Sequence, residues 1–156
     1  MATLGLTKPR WRADVWPGLG IAAASYVVVV ATAIVLAPLM TRDRALFISP
    51  AIGHLPRYYI LYGVVVAVAA VTEETLVNGY LLTRLGQLGW KPQWAFALSL
   101  TLRTSYHVYY GLGFLLTIPL GYFATRSFRK HGRLMRPIVA HFLYDVAVFT
   151  IAVLQS

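Results

Sequence analysis

Residues 17–39 contain no charged side chain. A helix needs about 20 predominantly apolar residues to cross a hydrocarbon core. This run meets that length and exceeds the apolar core of a signal peptide, so it reads as a membrane anchor. Four more apolar stretches follow, at 58–85, 93–110, 111–125 and 137–154. Strands would need a closed barrel and a period-two alternation that these stretches lack, so helices are the expected form. Composition agrees: the 156 residues are 58% hydrophobic and 12% charged, with no cysteine, whereas a soluble domain is about a quarter charged. The expected fold class is all-α, a polytopic transmembrane bundle of about five spans. The residues before Trp16 read as a mobile basic tail.

The formal net charge of +9 does not indicate a nucleic-acid partner, because the basic residues form no helix face interleaved with aromatics. They sit in the gaps between apolar runs. Lys8, Arg10 and Arg12 precede the first span; Arg42, Arg44 and Arg57 follow it. Arg84 and Lys91 flank the turn after the second span, and Arg126, Arg129, Lys130, Arg133 and Arg136 fill the last gap. Alternate sides then carry ten against three, which puts the N-terminus and the 126–136 loop on the cytoplasmic side. Trp11, Trp16, Trp90 and Trp94 fall near span ends, where an interfacial belt accounts for them. The expected surroundings are membrane lipid, with the last basic loop suited to anionic headgroups. His54 and His131 read as solvated loop residues.

Acidic residues carry more information. Of the five carboxylates, Glu73, Glu74 and Asp145 lie inside apolar stretches, where a charge costs at least about 2.5–3.5 kcal/mol. Arg103, His107 and His141 share that placement. Glu74 with Asn78, Arg103 with His107, and His141 with Asp145 are each four residues apart, so each pair shares one helical face. Three helices thus offer one polar stripe each, at overlapping depths, mostly in the cytoplasmic half. Carboxylates and imidazoles so gathered can hold a divalent cation or activate a water directly. Three ionised carboxylates and one arginine sum to minus two; one divalent metal would neutralise that, and so would two protons. Tyr106, Tyr109 and Tyr110 beside His107 read as packing, with the lining of a substrate path as the alternative.

The runs TEETLVNGYLLTRL, LRTSYHVYYG and PIVAHFLYDV resemble the CPBP family, also called the Abi or type II CAAX-protease family of intramembrane endopeptidases. Its motifs are Glu-Glu-x-x-x-Arg, Phe-x-x-x-His, and His-x-x-x-Asn or Asp. The resemblance covers about residues 60–154 and maps these motifs to Glu73, Glu74 and Asn78, to Arg103 and His107, and to His141 and Asp145. It implies a basic tail at 1–16, a first helix and external loop at 17–57, and a four-helix core at 58–156. It also implies hydrolysis of a peptide bond near the cytoplasmic face, in a peptide or membrane-protein substrate; the composition, with its Arg and Ala usage, points to a bacterial plasma membrane. Glu73 is the expected base with Glu74 in support, His107 polarises the water, and His141 with Asp145 orients it or stabilises the oxyanion. Either a divalent metal such as zinc sits on Glu73, Glu74, His107 and His141, or the glutamate acts without one. The chain departs from the family at two positions, with Asn78 for the arginine and Arg103 for the phenylalanine. An exchange follows as an expectation: Arg103 supplies from the third span the charge that the second has lost. Two competing readings are a catalytically inactive member serving as a bacteriocin-immunity or membrane scaffold protein, and a proton-coupled transporter, which would need a polar track to both faces.

Overall fold

The computed structural model describes residues 4–8, 10–39 and 56–154, and all its regular elements are helical. His54, with Arg42, Asp43 and Arg44, lies outside the described residues. A widened π turn at Trp11–Val15 leads into α1, Trp16–Leu36, with Pro17 in its first turn. At about 1.5 Å per residue, the 21 residues of α1 reach about the thickness of a hydrocarbon core. Its buried residues, Gly18, Ala22, Ser25 and Val29, recur at intervals of three and four and make one stripe. The rest of its surface is apolar and outward-facing, with Val27, Ile34 and Val35 among the exposed side chains. Lipid is the solvent such a surface calls for. The Ser25 hydroxyl is satisfied within the helix by the Ile21 carbonyl at 2.7 Å.

Helix α2, Pro56–Glu73, continues through a π segment, Glu74–Leu81, into α3, Leu82–Gln87. Helix α4, Pro92–Ser105, has 14 residues and extends about 21 Å, so it ends earlier than the span expected at 93–110. A turn at Tyr106 and His107 ends the helix, with the His107 N–H on the Thr104 carbonyl at 3.1 Å. A 3₁₀ segment, Val108–Thr117, then feeds α5, Ile118–His131. Gly111, at φ 61° and ψ −140°, takes a backbone shape open essentially to glycine alone. Helix α6, Met135–Leu154, packs along α1 and also against α2 and α5. Among the described residues, the helical stretches Trp11–Leu39, Tyr59–Gln87 and Val108–His131 are long and apolar enough to cross a membrane. The molecule is a helical membrane bundle.

The segment expected to be a mobile tail is docked. Asp14 is 1% exposed and accepts from Arg133 Nε at 2.7 Å and Nη2 at 2.6 Å. The Gly5 carbonyl accepts the Leu134 N–H at 3.0 Å, and Arg136 Nε donates to the Ala13 carbonyl at 2.7 Å. A single carboxylate among many cations found the fork of one arginine, a geometry suited to bidentate pairing. The N-terminal segment and the α5–α6 loop therefore lie at the same end, as the charge count requires. Beneath them Leu82, Leu85, Ala95, Phe128, Leu134 and Ile138 form the one cluster of buried large apolar side chains among the described residues.

Candidate functional site

Glu74 opens the π segment and is fully buried. A carboxylate there is tolerable only with its charge answered and its lone pairs filled. Both conditions are met. Arg103 Nη1 donates to Oε1 at 2.6 Å, and His141 Nδ1 meets the same oxygen at 2.9 Å. Asn78 Nδ2 donates to Oε2 at 2.5 Å, and the Asn78 carbonyl oxygen accepts from the Thr125 hydroxyl at 2.9 Å. Helices α4, α6 and the π segment thus meet at one carboxylate, and α5 joins them through Thr125 on Asn78. Arg103 fits because α5 carries Gly121 opposite it: a Cβ there would stand 2.8 Å from Arg103 Cδ and 2.9 Å from Leu100 Cδ1.

His141 is 6% exposed. Its second nitrogen, Nε2, lies 3.4 Å from Asp145 Oδ2, so the ring has a carboxylate at each end. An imidazolium in that position brings Glu74, Arg103, His141 and Asp145 to zero net charge, the arrangement a low-dielectric interior favours. The cation paired with Glu74 on the second span is Arg103, from α4.

Glu73 points elsewhere. It is half-buried, and its Oε2 accepts from the Tyr106 hydroxyl at 2.6 Å. The Tyr106 ring lies 4.6 Å from that of His107. His107 Nδ1 is 2.9 Å from the Arg103 carbonyl. A carbonyl only accepts, so Nδ1 carries the proton and the lone pair of the neutral ring sits on Nε2. The structure therefore divides the expected residues into a node around the buried Glu74, with Asn78, Arg103 and His141 buried and Asp145 half-buried at its edge, and a rim of Glu73, Tyr106 and His107. Tyr106 and Thr125 were not expected in this network. Tyr106 reads as packing while the third helix is assumed to continue, and a lone threonine in an apolar run gives no signal.

The metal expectation placed Glu73, Glu74, His107 and His141 on one ion. Among the described residues no three His, Asp or Glu side chains gather as a metal site. The reason is local: both Glu74 oxygens and both His141 nitrogens face protein partners, one of them a fixed cation, and Glu73 is turned to Tyr106. As arranged, these side chains do not fit a metal ion.

A family model for type II CAAX prenyl endopeptidase Rce1-like proteins matches residues 55–147, well over half of the chain and every residue of the node and rim. No curated protein matches the chain, and no solved structure does. On the family match and the helical membrane fold, the chain belongs to the Rce1-like type II CAAX prenyl endopeptidase family.

Proposed function

We propose that this chain is an intramembrane endopeptidase in which Glu73, helped by His107, activates a water for attack on a peptide carbonyl. The observation that carries this reading is the division of labour between adjacent glutamates. Glu74 has its lone pairs committed to Arg103, His141 and Asn78, so it serves as an anchor. Glu73 is half-buried and holds one protein donor. In the proposed step Glu73 Oε1 takes a proton from water while the water oxygen bonds to the carbonyl carbon. His107 Nε2 holds the water, since its other nitrogen is fixed. When the C–N bond breaks, the carboxyl proton passes to the leaving amine. His141 and Asp145 act through Glu74, as positioning residues. No step is routed through a metal.

We place the chain in a bacterial plasma membrane on its composition, with its Arg and Ala usage, and its N-terminus inside on the ten-to-three distribution of basic residues and the positive-inside rule. The substrate is then a peptide or membrane protein whose cleaved bond lies near that face. A non-catalytic scaffold is the competing reading, and it draws on the closed node, whose carboxylates find their partners within the chain. Purified protein in detergent, offered a peptide library, separates the two. Wild type should yield products that Glu73→Ala and His107→Ala do not, with a chelator leaving the wild-type rate unchanged. Products that persist in both variants reject the assigned residues, and a wild type that cleaves nothing favours the scaffold.

A further inference from the structure

Helix α4 stops at Ser105, and what the stop accomplishes is visible at the next two residues. In a continuing helix, side chains 106 and 107 would point about 100° apart. Here their rings lie 4.6 Å apart, and the Tyr106 hydroxyl reaches Glu73 on another helix at 2.6 Å. A hydroxyl donating to a carboxylate at this distance is a strong, charge-assisted bond. It is also the sole protein hydrogen bond to Glu73 among the described residues. Without it, Glu73 would be left to the cation on the neighbouring helix. Arg103, three residues before Tyr106, is buried, with Nε and Nη2 lacking a protein hydrogen bond among the described residues. A carboxylate drawn into an ion pair with that guanidinium is a weaker proton acceptor.

We propose that Tyr106 is a positioning residue for Glu73: its hydroxyl holds Oε2, keeps the carboxylate off Arg103, and leaves Oε1 facing the water beside His107. This rests on the reading of Glu73 as the base. Tyr106 is 38% exposed, and its hydroxyl meets Glu73 Oε2.

The chain offers a clean probe, because Glu73 and Glu74 are its only glutamates. Full-length protein labelled with ¹³C at the glutamate carboxyl should give two NMR lines in micelles, assigned with Glu73→Gln. In Tyr106→Phe, which keeps the ring, the Glu73 line should move and the Glu74 line should stay, the latter showing that the node has folded. On the library peptide that wild type cleaves best, kcat should fall by about tenfold or more, which is about 1.4 kcal/mol or more in barrier height, with KM little changed. A Glu73 line that stays in place, or a kcat equal to or above wild type, overturns the proposal. A Glu73→Gln variant that still cleaves, or an inert wild type, overturns the base reading and removes the tether's catalytic meaning with it.

Discussion

Three donors meet the Glu74 carboxylate, while Arg103 uses only Nη1 in the pair. Removing one member of a buried pair leaves an uncompensated charge and costs about 3–5 kcal/mol. Arg103→Ala should therefore lower unfolding stability in micelles by about that amount. Asn78→Ala removes one neutral donor from Glu74 and one acceptor from Thr125, at about 1–3 kcal/mol. Denaturant unfolding of the two variants checks the order, and equal, mild effects would contradict it. This pairing was legible in the sequence, because a missing arginine on one span and an added one at similar depth on the next leave few partners for either. Tyr106 was not legible, since nothing in the string LRTSYHVYYG marks where the helix stops.

At the scale of elements, the π segment Glu74–Leu81 carries both Glu74 and Asn78, and single π turns inside helices often mark functional sites. Hydrophobic periodicity over eight residues does not separate a π turn from an α turn, so the sequence could place the residues on one face and no more. The exchange of the arginine between helices has a direct test. Arg103→Leu removes the cation from α4, and adding Asn78→Arg returns one to the second span at i+4 from Glu74. The double variant should recover a measurable part of the stability that Arg103→Leu alone loses; a double variant worse than the single one would contradict the exchange. Gly111 and Gly121 do different work on the 3₁₀ segment and α5. Gly121→Ala places a Cβ 2.8 Å from Arg103 Cδ, and such overpacking costs about 1–3 kcal/mol. Thermal unfolding should show that loss in wild type and a smaller one in the Arg103→Ala background, where the contact with Arg103 Cδ has gone and the one with Leu100 Cδ1 at 2.9 Å remains.

Across the whole molecule, helical spans and their order could be read from hydropathy, while the docking of residues 4–8 and 10–15 could not. Asp14 is a lone acid in a basic segment, and its partners Arg133 and Arg136 lie far along the chain. This N-terminal part lies outside the family match at 55–147, yet it closes over the start of α6, the helix that carries His141 and Asp145. Asp14→Asn should speed hydrogen exchange at the Leu134 amide, whose N–H is held by Gly5; unchanged exchange would show that the segment docks without the ion pair. The absence of cysteine makes sidedness easy to measure. Lys8→Cys and Lys130→Cys should both react with an impermeant maleimide from the cytoplasmic face and neither from the other.

The account as a whole turns on two neighbouring glutamates doing different jobs, and Glu73→Gln beside Glu74→Gln tests this most directly, each scored for melting temperature and for cleavage of the same peptide. The account predicts that Glu73→Gln melts like wild type and cleaves nothing, while Glu74→Gln melts markedly lower. A Glu73→Gln protein that unfolds early, or a Glu74→Gln protein as stable as wild type and inert, would contradict it.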